Sequence, residues 1–506
     1  MKDKNKILLV LIILLAAFLR LWGSWRLDLF TYDQARDATY IRRIFTERKF
    51  PLVGPQSSIP GVTLGPGYYY LMALPLLLFN FDPSGIDMAT GIINTISILL
   101  LYKLISKISK KEIALSVCLL YAVSPIVVEL TRRAWNLSTL PFFSISIIYL
   151  INEIKVKKKN LLVYFLALFA SLGIAIQLHY SALLLFPPIL ITLFIFFKHE
   201  LYKNVKAFLL GFSAFFFLNL PILIFNFRHH WIMPKAIMAS FFQEGNSKIN
   251  LLNKIIEFFS SFWSIFEGTF LYNLRPLSFL IFALLNIVII WRLLKKNLEF
   301  LAALSLFFIF FSLFGSLFYP KGFSFFYLVF LLPMPYFLLA SALSWSFPKF
   351  PKKGKWFFYG GIILLAGWLF YRTSKIIFRP PVRTRNDFVQ VAKVISDDLK
   401  KEVKFNLAAI YHSPGTWENY YRRGIVREDI RWDHNAVDYG YFVERKGFKP
   451  LHWDNFKEAQ VLYLIAEEGI DNPLALKFWE IKEFGPGKVV NQWQLKNGTT
   501  IYKLER

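Results

Sequence analysis

The sequence predicts a polytopic α-helical membrane protein that ends in a soluble α/β domain. Three observations carry this. Apolar runs of membrane-spanning length recur from the N-terminus to about Tyr371. Lys and Arg gather in the short loops between those runs, which is the pattern that orients membrane helices. From Arg379 onward the composition shifts, and short strand-like runs replace the long apolar ones. The chain is 56% hydrophobic with a mean hydropathy of +0.44, whereas soluble domains are about 45–50% apolar. Its 55 Phe, 24 Tyr and 14 Trp suit lipid-facing surfaces and interfacial belts.

The first apolar run, 6–25, follows Lys2, Lys4 and Lys6. It exceeds a signal-peptide core, and Arg20-Leu21-Trp22 stands where a small-x-small cleavage site would be, so it reads as an uncleaved span. Further spans are expected over 85–105, 112–131, 137–153, 161–178, 181–197, 205–225, 276–293, 299–319, 323–343 and 356–372, about eleven in all. Placing the Lys-rich loops 103–111, 155–159, 198–206, 292–296 and 349–355 in the cytoplasm sets the N-terminus inside and the C-terminus outside. The run 67–81 is too short to cross and contains Pro75; it reads as an interfacial or re-entrant helix.

The formal net charge is +26. Such a charge first suggests nucleic acid, but its placement between apolar runs points to the bilayer instead. The single Cys118 lies within an apolar run and permits no internal disulfide.

Two large outer loops follow from this topology, 26–66 and 226–275. In the first, Asp33 to Lys49 has helical spacing, with Ala35, Ala38, Ile41, Ile44 and Phe45 on one side and Arg36, Arg42, Arg43 and Lys49 over much of the rest. An amphipathic helix lying on the membrane fits this, as does a helix that packs on the bundle. Asp33 stands out in Tyr32-Asp33-Gln34-Ala35-Arg36-Asp37-Ala38, at the exit of the first span. An ionised acid there can accept a proton from an acceptor hydroxyl or amine, and it can equally cap the following helix. Gln34, Arg36 and Asp37 flank it. Other outer turns carry Arg132, Arg133 and Asn136, then Gln177, His179 and Tyr180, then Arg228, His229 and His230, then Lys321. Cations at a membrane surface suit a phosphate; each alone reads first as a snorkelling or interfacial charge, and their convergence on one side raises the group above its members. Arg20 reads as structural. His179 has no second His or Cys at ligand spacing, so a metal is weakly supported. No cofactor is called for, although a divalent metal stays open.

The domains expected are a membrane domain, 1–378, and an extracytoplasmic α/β domain, 379–506. In the latter, Asn386 to Lys400 reads as a helix, and Val403 to Tyr411, Val461 to Ala466 and Thr499 to Leu504 as strands. Trp417, Tyr420, Tyr421, Trp432, Tyr439, Tyr441 and Trp453 could stack on sugars or pack internally.

With these residues in view, the membrane part resembles the GT-C membrane glycosyltransferases, in particular the bacterial protein O-mannosyltransferase and aminoarabinose-transferase group. The resemblance rests on Arg20-Leu21, YDQARDA from Tyr32, LGPGYYYLMALPLLL from Leu64, YAVSPIVVELTRRAWN from Tyr121 with LPFF from Leu140, and QLHY from Gln177. It implies sugar transfer from a polyprenyl-phosphate donor to an acceptor, whether protein, lipid or glycan, at the outer membrane face. It assigns the base to Asp33 and loosely assigns the lipid phosphate to Arg132, Arg133, Arg228 and Lys321. Two positions depart from the family pattern: Gln34 replaces the second acid of a pair, and Leu64 stands where relatives often have His. The expectation is an inverting transfer. A flippase for lipid-linked glycans and a non-catalytic scaffold with a sugar-binding tail are the competing readings.

Overall fold

The computed structural model describes all residues except 1, 28–29, 157–159, 244–250, 272–273, 320–323, 382, 412–434, 453, 468–469, 471 and 476–478. The chain divides into two compact units. One comprises Met1–Trp22, Lys49–Leu74 and Ile86–Arg379; the other comprises Gly23–Arg48, Pro75–Gly85 and Pro380–Arg506.

The helices run in chain order as α1 (Lys2–Leu21), α2 (Tyr32–Thr46), α3 (Gly67–Leu78), α4 (Ser84–Ile108), α5 (Lys111–Val123), α6 (Pro125–Thr131), α7 (Leu140–Val156), α8 (Leu161–Leu178), α9 (Phe186–Phe196), α10 (Lys198–Lys203), α11 (Val205–Arg228), α12 (Ile232–Gln243), α13 (Leu251–Phe270), α14 (Arg275–Leu294), α15 (Phe300–Ser316), α16 (Met334–Ser346), α17 (Lys352–Ile377), α18 (Arg385–Asp398), α19 (Val437–Arg445) and α20 (Trp479–Phe484). The strands are β1 (Phe405–Ile410), β2 (Val461–Ala466), β3 (Lys488–Gln494) and β4 (Thr500–Glu505).

Each of the eleven expected spans coincides with helical structure, but fewer are straight helices of spanning length. Among the described residues six are long and apolar enough to cross a membrane: Lys4–Arg26, Ser84–Ile108, Asn136–Val156, Leu161–Leu178, Val205–Arg228 and Arg275–Leu294. Two more are bent pairs. Lys111–Val123 and Pro125–Thr131 meet at 61°, and Phe325–Leu331 and Met334–Lys349 at 43°. The first bend has a simple cause. Ser124 precedes Pro125 and adopts an extended conformation (φ −66°, ψ 126°), as residues before proline do. Tyr180–Phe196 and Phe300–Ser316 are shorter apolar helices, as is Gly67–Leu78. The protein is a multi-pass membrane protein.

Within the first unit, α1 packs on α5, α8 packs on α7 and α11, and α5 packs on α16 and α17. Arg20 is fully buried in this packing. Its guanidinium donates to Thr131 Oγ1 at 3.1 Å and to the carbonyls of Ala122 and Ala16 at 3.2 and 3.3 Å, so it ties α1 to α5 and α6 as a structural cation. Helices α8 and α11 approach closely at Gly211, where a Cβ would lie 2.6 Å from Phe165 Cβ.

The second unit holds a four-stranded sheet in the order β1-β2-β4-β3. β1 and β2 are parallel, and the other two pairings are antiparallel. Every residue of β1 and β2 is buried, which explains their near-continuous apolar sequence. Ala408, Leu462, Leu464, Phe456, Phe484 and Leu504 form much of the core. Helix α18 begins one residue before the expected start because Thr384 caps it, taking up Asp387 in a capping box. Tyr439 and Tyr441 are buried at 1% exposure and are packing residues, not open stacking platforms. Trp417, Tyr420, Tyr421, Trp432 and Trp453 lie outside the described residues.

Candidate active site

Helix α2 belongs to the second unit. Thr31 is its N-cap, in extended conformation, and Gln34 completes a capping box through its side-chain oxygen. The cap role is therefore filled by Thr31, and Asp33 stands in the first turn, where the helix dipole favours a carboxylate. The Gln34 side chain is committed to the cap.

Asp33, Arg36 and Asp37 form one linked group. Arg36 Nη1 donates to Asp33 Oδ1 at 2.8 Å. Arg36 Nε and Nη2 both reach Asp37 Oδ1 at 2.9 Å. Asp37 is 1% exposed, whereas the Asp33 side chain is 46% exposed. Arg36 also lies over the Tyr32 ring, 5.7 Å from its centroid. Spacing i,i+3 places Asp33 and Arg36 on one helix face. The guanidinium thus holds Asp33 through Oδ1, while the side chain as a whole stays about half exposed. Desolvation raises the pKa of Tyr32 above its ordinary value, so its hydroxyl stays protonated.

The remainder of α2 corrects an expectation. Ala35, Ala38, Ile41 and Ile44 are buried, and the helix packs on α19. Arg42 and Arg43 pair with Glu444 at 3.4 and 3.0 Å. The apolar face meets protein, not lipid, and the basic face meets a carboxylate; Phe45 stays partly exposed. The covering residues lie some 400 positions away in sequence, beyond the reach of a pattern read along one helix.

In the first unit the expected outer residues divide. Arg132 is buried and donates through Nη2 to the Trp22 carbonyl at 2.6 Å, so it secures the end of the first span. Asn136 is buried and donates to the Leu178 carbonyl at 2.6 Å. Gln177 donates to the Leu218 carbonyl, and its side chain fills the space that a Cβ at Gly65 or Gly67 would need. Tyr180 donates to the Thr63 carbonyl at 2.7 Å. These four act as ties between separate segments of the unit. Arg133 lies over the Trp135 ring at 5.1 Å. Arg228 is exposed at the end of α11. Lys321 lies outside the described residues.

His179 stacks on Tyr327, with centroids 5.4 Å apart. Its Nδ1 accepts the Ser181 N–H at 3.2 Å, so the neutral ring carries its proton on Nε2. Burial pushes its pKa down to about 4. His179 is therefore neutral near neutral pH and cannot supply a cation to a phosphate. It lines an apolar cavity of about 350 Å³ with Leu64, Leu184, Phe318 and the hydroxyl cluster of Ser58, Tyr319 and Tyr327. Ser58 Oγ lies 2.7 Å from Tyr319 Oη and 3.2 Å from Tyr327 Oη. A second cavity, of about 270 Å³, brings Arg133 together with Glu129, Glu267 and Arg275. Sequence reasoning missed Glu267 and Arg275, which are 3.6 Å apart. The available signal was Glu267, an acid near the end of α13 within the aromatic, largely apolar run Phe258–Phe270.

Among the described residues no three His, Cys, Asp or Glu side chains gather as metal ligands. The α2 pair does not fit a shared-carboxylate metal site, because Arg36 already bridges its two acids.

A family model described as dolichyl-phosphate-mannose-protein mannosyltransferase matches residues 63–225. The structure of ArnT from Cupriavidus metallidurans bound to undecaprenyl phosphate superposes with a TM-score of 0.57 over 98% of this chain and 97% of that one, at 14% identity. Its apo state gives 0.57 over 99% and 98%, at 13% identity. The chain has the GT-C fold. The archaeal oligosaccharyltransferase AglB from Archaeoglobus fulgidus, in complex with an inhibitory peptide and a dolichol-phosphate, matches with a TM-score of 0.50 over 92% of this chain and 69% of that one, at 15% identity. No curated protein sequence matches. At these identities the structural likeness speaks to the GT-C fold. The sequence match, which begins at Thr63, falls mostly in the first unit, takes in Pro75–Gly85 of the second and does not include α2.

Proposed function

We propose that this protein transfers a sugar from a polyprenyl-phosphate carrier to an acceptor at the extracytoplasmic membrane face, with inversion. The observation that carries the reading is the group on α2: a half-exposed Asp33 whose Oδ1 is held at 2.8 Å by Arg36, which is itself fixed by buried Asp37. The GT-C fold and the match to a lipid-linked mannosyltransferase model support the donor class.

In this mechanism the acceptor O–H or N–H faces Asp33 Oδ2. The acceptor heteroatom attacks the anomeric carbon from the side opposite the phosphate. The glycosyl–oxygen bond breaks with its electron pair passing to the polyprenyl phosphate, and the acceptor proton passes to Asp33. Arg36 fixes the carboxylate in one rotamer, which contributes positioning.

The test is release of labelled sugar from a panel of polyprenyl-phosphate sugars by purified protein, with the anomeric configuration of the product read by NMR. Turnover with inverted configuration supports the proposal. A retained configuration, or no turnover of any donor by folded protein, overturns it.

A further inference from the structure

A third pocket lies wholly within the sheet-bearing unit, against α2. It encloses about 390 Å³. Ligand pockets typically begin near 300 Å³, so it is large enough for one or two sugar rings. Its lining includes Tyr32, Arg36 and Tyr40 of α2, Asn435, and Gly440 of α19.

Asn435 is the telling residue. It is 7% exposed, yet among the described residues neither its Nδ2 nor its Oδ1 has a hydrogen-bond partner. An amide buried with both ends unmet costs stability, commonly about 1–3 kcal/mol for such a group. The neighbouring Asn406 is, by contrast, satisfied, donating to the His452 carbonyl at 3.2 Å and accepting from Leu407 N–H at 3.0 Å. The pocket therefore offers one donor and one acceptor side by side at its buried end.

The charges around it are already balanced. Arg36 is paired with Asp33 and Asp37, Arg43 with Glu444 at 3.0 Å, and Lys449 with Glu47 at 3.3 Å. A pocket whose cations are matched by carboxylates favours a neutral ligand over an anion. The half-exposed Tyr40 and the partly exposed Tyr32 add ring surface at its edge. Gly440 keeps one wall open: a Cβ there would meet Leu407 Cδ1 at 3.6 Å and Pro450 Cγ at 3.9 Å, ordinary contacts, so a larger side chain can be accommodated by filling the pocket.

We propose that this pocket binds a neutral saccharide, with adjacent ring hydroxyls meeting the two ends of the Asn435 amide and the C–H face of the ring resting on tyrosine. Because Arg36 both lines the pocket and holds Asp33, the saccharide is part of the acceptor; this clause rests on the transferase reading, while the binding itself does not.

The experiment uses the full chain in detergent micelles on an array of neutral mono- to hexasaccharides, beside synthetic peptides and anionic phospholipid vesicles. Wild type should bind one class of neutral saccharide. Asn435→Ala should weaken that binding about tenfold, and Gly440→Leu should abolish it, with the thermal transition of each variant kept as a fold control. Saccharide binding without any donor turnover would uphold the pocket while the transferase reading falls. Binding of peptides or vesicles only, of no saccharide, or undiminished saccharide binding by folded Gly440→Leu would overturn the proposal.

Discussion

Glu480, in α20 of the sheet-bearing unit, is fully buried, and neither carboxylate oxygen has a hydrogen-bond partner among the described residues. Desolvation pushes its pKa from 4.5 up to about 7. The folded state thus binds this proton more tightly than the unfolded chain does. Stability is complete below the unfolded value and is lost as pH rises through the folded one. A difference of two to three pH units at about 1.4 kcal/mol each gives roughly 3 kcal/mol lost between about pH 4 and pH 8. Glu480→Gln keeps the shape and removes the charge. It should leave stability near pH 5 almost unchanged and raise it near pH 8 by up to roughly 3 kcal/mol. For a domain of this size that is on the order of 10 °C or more in the melting transition. The assay is hydrogen exchange across β2 and β4 in the purified full chain, together with its melting curve, at both pH values. A pH-independent difference, or a variant less stable at the higher pH, would refute the argument.

Further predictions follow from single contacts. Gly211→Leu would drive a side chain into Phe165 and should destabilise the membrane unit by about 2 kcal/mol or more, seen as a lower melting temperature, whereas Gly360→Leu, where a Cβ meets nothing within 4 Å, should not. Thr31→Ala removes the α2 cap and should cost about 1 kcal/mol, read as faster hydrogen exchange in the first turn of α2. His179, with its pKa depressed from 6.5 to about 4, contributes stability that is full above the unfolded value and declines as pH falls toward the folded one. Its variant His179→Gln should therefore leave the shape of the activity profile unchanged around neutral pH.

Helix positions were legible because the apolar runs are long and the charges between them are dense. Their continuity was less so: Pro125 was visible, but the resulting 61° bend depends on what the two halves pack against. The strand β3 was missed because Lys488–Gln494 is mostly exposed and shows no buried alternation. Asp33 could be picked out from its place after the first span. The link from Arg36 to both Asp33 and Asp37 requires helix geometry, and the burial of Asp37 requires the neighbouring α19. Arg132, Asn136 and Gln177 looked like ligand-binding residues because polar side chains at outer turns invite that reading. Their actual partners are backbone carbonyls of distant segments, which leave no trace in a local pattern. The unmet amide of Asn435 is equally invisible in sequence.

The most direct measurement is sugar transfer from a radiolabelled polyprenyl-phosphate donor by wild-type protein beside Asp33→Asn, both shown to be folded by their melting transitions. The account predicts turnover by wild type and its loss, by about two orders of magnitude or more, in the variant. Equal turnover by the two proteins would contradict the assignment of Asp33 as the base.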